Sequence, residues 1–225
     1  MKHFNIAIDG PAGAGKSTIA KKAAEKLGFV YVDTGAMYRT MALCFLRLGI
    51  EPGDEEAIAK ACPGVDVTIR YENGAQQVIL NGENVSGLIR TEEVGRMASA
   101  ISVYMPVREK LVELQQELAR KTNVIMDGRD IGTCVLPDAP AKIYLTASVQ
   151  VRAGRRFSEL KEKGVECGIK EIEADIEERD YRDMHREHSP LRQAEDAVLL
   201  DSSQMTIDQV VDSIIGIACE HGLEV

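Results

Sequence analysis

An apolar stretch at residues 4–8, FNIAI, runs directly into DGPAGAGKST and then into a helix-forming run. That junction limits what the chain can fold into more than any other feature. Gly10, Gly15, Lys16 and Ser17 satisfy GxxxxGK[ST] in the strand-then-helix setting the motif requires. Glycines let the backbone curl with its N–H groups turned inward, and the helix that follows opens with free N–H groups and a positive dipole end. The loop formed by Gly10, Pro11, Ala12, Gly13, Ala14, Gly15, Lys16, Ser17 and Thr18 is therefore a phosphate cradle. Lys16 is expected on the outer phosphates and the Ser17 hydroxyl on Mg²⁺, with Thr18 as a further donor.

The remaining pattern agrees with this start. Five short apolar segments read as buried parallel strands: Phe4–Ile8, Phe29–Val32, Val124–Met126, Lys142–Leu145 and Ala197–Leu200. Helical periodicity covers Lys16–Leu27, Ala36–Leu48, Val107–Arg120, Val149–Lys163, Lys170–Arg186 and Thr206–Cys219. Strands alternating with helices predict an α/β, three-layer doubly wound fold on a five-stranded parallel sheet. Residues 64–90 break the rhythm with period-two alternation and turn signals at Asn73–Gly74 and Asn81–Gly82. They are expected to form a small antiparallel β insert outside the main sheet. The segment LKEKGVECG, 160–168, lies between two arginine-bearing helices and reads as a mobile lid.

At 225 residues and 44% hydrophobic content, the expectation is a single domain with inserted pieces. The net charge of −9 means that cations meeting a phosphate must be gathered locally. Aromatics make up 4% with no Trp, and there is no basic tail, which argues against a nucleic-acid binder. The five cysteines form no CxxC pair and read as reduced thiols of a cytoplasmic protein. The apolar runs are too short to span a bilayer, and the N-terminus has no export pattern. With no long apolar stripe left over, a monomer is expected.

A phosphate cradle alone serves GTPases, ATPase motors, sulfotransferases and small-molecule kinases alike, and other segments must discriminate. No NKxD guanine motif is present. The second strand ends in VDTGAMYR, placing Asp33, Thr34, Tyr38 and Arg39 where open α/β sheets bind ligands. A helix capped by Asp33 or Thr34 is the plainer reading, and both can hold. The third strand enters MDGRDIGT, with Asp127 placed to order Mg²⁺ directly or through water, and Arg129 and Asp130 following. A structural Asp–Arg ion pair is the alternative there. Arg152, Arg155 and Arg156 share one helical face, and Arg179, Asp183 and Arg186 share another. Either a salt-bridged solvated face or a closing, phosphate-neutralising lid accounts for them. His185, His188 and the cysteines carry no ligand spacing.

Taken in order, IDGPAGAGKST, DTGAMYR, SGLIRTEEV, MDGRDIGT, LPDAPAKIYLTAS and ERDYRDMHREHSPL resemble bacterial cytidylate kinases, within the P-loop nucleoside monophosphate kinase superfamily. The resemblance covers almost the whole chain, the β insert included. It implies transfer of the γ-phosphoryl group of ATP to CMP or dCMP with Mg²⁺. By the same resemblance, Gly10–Thr18 hold the ATP phosphates, and Arg156 belongs to the lid's ATP contacts. Thr34, Tyr38, Arg39, Ser99, Arg108, Arg129, Asp130, Arg179, Asp183 and Arg186 would bind CMP, with Thr34 standing where a serine is common. Lys16, Arg129, Arg179 and Arg186 would be the catalytic cations. It further implies a monophosphate-binding part at about 34–108 and a lid at about 152–170.

Overall fold

The protein was analysed as a computed structural model that describes residues 3–72, 74–162 and 164–224. Asn73 of the expected hairpin turn and Lys163 at the expected helix end lie outside the described residues. The chain divides into two compact units, one built from the segment up to Tyr31 together with Ala119 onward, the other from Val32–Leu118.

The first unit carries β1 (Asn5–Asp9), α1 (Lys16–Leu27), β6 (Val124–Gly128), β7 (Ala141–Thr146), α6 (Val149–Glu162), α7 (Ile169–His185), β8 (Val198–Asp201) and α8 (Ile207–Glu220). With β2 (Val30–Asp33), its strands form a five-stranded parallel sheet in the order β2-β6-β1-β7-β8. Ile6, Ile8, Ile125, Ile143 and Leu145 are buried, as apolar runs covered on both faces require. On one face α1 supplies Ile19, Ala20, Ala23 and Ala24, and α8 supplies Val210, Val211, Ile214 and Ala218. Alanines on α1 let the helix lie close to the strands. Register fixes the site: Ile8 is opposite Asp127, and Asp9 is opposite both Gly128 and Tyr144. The carboxyl ends of the three central strands are thus level, and Asp9, Asp127 and Tyr144 share one edge. A smaller apolar cluster of Ala153, Ile172 and Ile176, backed by Val149, Phe157, Leu160 and Cys167, joins α6 to α7.

The second unit contains α2 (Thr34–Arg47), α3 (Glu55–Ala61), β3 (Val67–Glu72), β4 (Ala75–Leu80), β5 (Glu83–Asn84) and α4 (Glu92–Ile101). It also holds the larger part of α5 (Met105–Lys121). The antiparallel order β3-β4-β5 pairs Val67 with Leu80 and Glu72 with Ala75. Met37, Met41, Phe45, Val78, Leu80, Met97 and Ile101 are buried in this unit, where α2 packs against both α4 and β4.

The expected insert is real but narrower, its strands running from 67 to 84. α2 opens at Thr34 because the Asp33 carboxylate caps it, Oδ1 accepting the Ala36 N–H at 2.8 Å. α6 continues through Glu162, so the first part of the segment read as a loop is helical. α7 ends at His185, which leaves Arg186 in extended backbone just past the helix (φ −64°, ψ 144°). Among the described residues, no helix is long and apolar enough to cross a membrane.

Candidate active site

The cradle is built by sterics. Gly10 has φ +150°, and a Cβ there would sit 1.9 Å from the Leu145 carbonyl oxygen, so only glycine lets β1 turn against β7. Gly15 enters α1 in the left-handed region (φ 84°) with no side-chain cap. The first N–H groups of α1 are left for an anion, which is what a helix start offers phosphate. Lys16 is buried, and its ammonium donates to the carbonyls of Gly10 (2.7 Å) and Pro11 (2.8 Å). Burial first, then the nearby Arg129 charge, lower its pKa to about 7 against the pull of Asp127, Asp9 and Asp183. A lysine held this way gains strongly from a polyanion brought beside it. Ser17 and Thr18 are exposed at the helix start.

Asp127 ends β6 as a buried carboxylate. It accepts the Ser17 hydroxyl at 2.9 Å on Oδ2 and the Tyr31 hydroxyl at 2.9 Å on Oδ1. Asp9, one residue before Gly10, accepts the backbone N–H groups of Ile131 (2.8 Å) and Gly132 (2.7 Å). It therefore ties the end of β1 to the loop that follows β6. Burial outweighs those two bonds and raises its pKa to about 6.

The Arg129–Asp130 expectation resolves into two separate pairs. Arg129 Nε donates to Asp183 Oδ2 at 2.8 Å, and Arg186 Nη2 lies 3.7 Å from Asp130 Oδ1. Burial alone would raise the Asp183 pKa, but Arg129 first, then Arg179 and Arg186, hold it below the usual carboxylate value. Arg186 is clamped by Nε on the Ser189 carbonyl (2.6 Å), while its buried Nη2 makes no hydrogen bond among the described residues. An oriented, desolvated guanidinium of this kind is suited to a phosphate oxygen. Arg179 sits on the same side of α7 and adds its charge to this cluster.

The arginines of α6 divide differently from the sequence expectation. Arg156 is half exposed and pairs with Glu159 at 2.9 Å. Arg152 and Arg155 reach the cradle instead, Arg152 Nη1 donating to the Ala12 carbonyl at 2.9 Å. Arg155 meets the Ala14 carbonyl at 3.5 Å and the Ser202 carbonyl at 3.0 Å.

In the second unit, Thr34 is buried in the first turn of α2, with Tyr38 and Arg39 one turn on. Arg108, buried on α5, donates to the Tyr38 hydroxyl and to the Ser102 carbonyl, both at 3.3 Å. Ser99, partly exposed on α4, has its carbonyl engaged by the Ser102 hydroxyl at 2.8 Å. Asp33 organises this region: Arg90 reaches its Oδ2 at 2.8 Å and Arg39 lies at 3.9 Å. Gln76 of the insert grips the Asp33 backbone, accepting its N–H at 2.8 Å and donating to its carbonyl at 3.3 Å. Gln76 carried no signal in the linear sequence, and Arg90 stood in SGLIRTEEV without a role, because only the fold brings the two to Asp33. Asp9 could have been noticed from its place directly before the cradle.

A glycine loop between parallel strand and helix, a lysine folded into it, and a hydroxyl–carboxylate pair at the neighbouring strand end make this a P-loop nucleotide-phosphate site. Wider comparison narrows the class. Residues 6–220 match the model of the family described as cytidylate kinase. A cytidylate kinase of Caldicellulosiruptor saccharolyticus is 51% identical over 96% of this chain and 95% of its own. One of Lactobacillus gasseri is 53% identical over 94% and 92% respectively. The chain belongs to the cytidylate kinase family. The fold is shared more widely, as in the crystal structure of an uncharacterized protein from Eubacterium ventriosum (TM-score 0.55, 14% identity, 96% of this chain and 99% of that one).

Proposed function

We propose that the protein transfers the γ-phosphoryl group of ATP to CMP and dCMP, forming the diphosphates and ADP. Family membership across residues 6–220 carries this reading. The loop Gly10–Thr18 holds the ATP phosphates, and Arg156 joins them from the lid. Thr34, Tyr38, Arg39, Ser99 and Arg108 bind CMP, and Arg129, Asp130, Arg179, Asp183 and Arg186 serve its phosphate and sugar. The attacking group is already a phosphate oxygen, so no general base is needed. Catalysis then rests on in-line positioning and on offsetting the repulsion between two phosphate chains. Arg129, Arg179 and Arg186 supply fixed positive charge for that purpose, and Lys16, whose pKa burial lowers, is held charged by the phosphates brought beside it.

The Ser17 hydroxyl and the Asp127 carboxylate, 2.9 Å apart, are a hard-oxygen set that fits Mg²⁺. Ser17 would ligate the ion directly and Asp127 through water, with the remaining positions left to phosphates and water. The ion supplies neutralisation of the transferring phosphoryl group.

The chain is read as one monomeric nucleoside monophosphate kinase domain with a monophosphate-binding part at about 34–108 and a lid at about 152–170. A coupled assay of ADP release with CMP, dCMP, UMP and AMP tests the substrate. CMP and dCMP are expected to lead, and faster turnover of UMP or AMP would overturn the assignment. The β insert is read as moving with the monophosphate part to close over bound CMP; hydrogen exchange with and without CMP tests this, and equal protection in both states refutes it.

A further inference from the structure

Helix α7 carries a single buried stripe made of Ile172, Ile176, Asp180 and Asp183. Spacings of four, four and three put these residues on one face. Its apolar half packs on α6, and its carboxyl-terminal half presents two carboxylates one turn apart. Asp183 is taken by Arg129. Asp180 is taken by Arg152, whose Nη2 lies 2.6 Å from Asp180 Oδ2, with side chains only 11% and 5% exposed. The same guanidinium donates through Nε to the Ala147 carbonyl at 2.9 Å and through Nη1 to the Ala12 carbonyl at 2.9 Å. Its stem passes 3.4 Å from where a Cβ on Gly13 would stand. Arg152 therefore has all three nitrogens committed, and the crown of the cradle at Ala12–Gly13 rests on it. Among the described residues Asp180 Oδ1 has no hydrogen-bond partner, and the charge of this carboxylate is met by the ion pair with Arg152.

We propose that Asp180 is a positioning residue of the donor site. By holding the Arg152 fork against the Ala12 carbonyl, it sets the position of the cradle's crown. Because Asp183 stands one turn away on the same helix and holds Arg129, α7 keeps the crown and that arginine in a fixed relation. A lysine at 152 could not replace the fork, since one ammonium cannot meet the Asp180 carboxylate and two carbonyls in these directions. Asp180 reaches no phosphate in this arrangement and acts through Arg152.

The inference rests on Gly10–Thr18 being the ATP cradle, and the test separates the two. Asp180→Asn keeps size and removes charge. It is expected to raise KM for ATP about tenfold, as a small misplacement of a binding loop does, with KM for CMP within about twofold of wild type. Amide exchange at Ala12 and Gly13 in the ligand-free protein should quicken. Asp180→Glu should recover part of the ATP KM. Should Asp180→Asn fail to fold, Arg152→Ala/Asp180→Ala, which leaves no lone buried charge, is compared with Arg152→Ala. Equal ATP KM in those two supports the relay, and a further rise on removing Asp180 refutes it. An ATP KM within about twofold of wild type in Asp180→Asn, or equal rises for ATP and CMP, overturns the proposal. Lys16→Met judges the cradle by itself: unchanged turnover there removes the underlying assignment, whatever Asp180 does.

Discussion

Asp9 offers a quantitative check on the balance of forces at the strand ends. Its carboxylate receives two short backbone hydrogen bonds, from Ile131 and Gly132, and those bonds favour the charged form. Burial at 5% exposure works the other way, helped by Asp130, and it wins: the pKa rises from 3.8 to about 6. The folded state thus holds the proton more tightly than the unfolded chain. Its contribution to stability is fully present below pH 3.8 and is lost as pH rises through about 6. A shift of this size amounts to about 3 kcal/mol well above the folded pKa, of which only about 1 kcal/mol has been lost by pH ~4.5. Asp9→Asn does not titrate. At pH ~4.5 it should be less stable than wild type, because its amide NH₂ is turned toward a backbone donor and leaves a buried polar group unpaired. By pH ~7.5 that gap should close by about 2 kcal/mol. Urea unfolding of both proteins at the two pH values gives the gap directly; groups that do not face Asp9 cancel in the difference, and Lys16, whose pKa the Asp9 charge raises, adds a smaller share. A gap that stays constant or widens with pH would refute the claim that desolvation outweighs the two hydrogen bonds.

Lys16→Ala should lower kcat by about 10²- to 10³-fold with the far-UV circular dichroism spectrum unchanged, as expected for loss of one buried charge donor. Arg186→Ala should raise KM for CMP by about tenfold or more and change KM for ATP little, and unchanged CMP kinetics would remove Arg186 from the acceptor side. Asp127→Asn should shift the Mg²⁺ dependence of turnover to higher concentration by about tenfold, read from initial rates across a Mg²⁺ titration at fixed ATP.

Much of this arrangement is legible in the residues. The limits of α1, Lys16–Leu27, follow from the motif at one end and Gly28 at the other. The five strands of the main sheet stand within a residue or two of their apolar runs, since buried parallel strands must be almost wholly apolar. Element ends were less legible. α2 starts two residues before Ala36 because a carboxylate caps it, and α7 ends before Arg186 because that arginine turns back onto the Ser189 carbonyl. Neither α3 nor α4 stands among the helices read from periodicity; α3, seven residues with one buried side chain, Ile58, is too short to print one.

Charge pairing was the least legible layer. Arg129 and Asp130 are neighbours in the chain, yet each is paired with a residue from the segment around α7, more than fifty positions away. Arg152, Arg155 and Arg156 look equivalent on a helical wheel, but only the first two reach the cradle. By itself the sequence determined the parallel α/β class, the phosphate cradle and the family, because strand hydrophobicity and glycine conformations are local requirements. Only the tertiary structure decided which carboxylate holds which arginine, because a desolvated charge takes the partner that the register of β1, β6 and β7 and the buried face of α7 bring within reach. That register makes Asp9 a brace for the next loop, and that face commits Asp180 to Arg152 beneath the cradle.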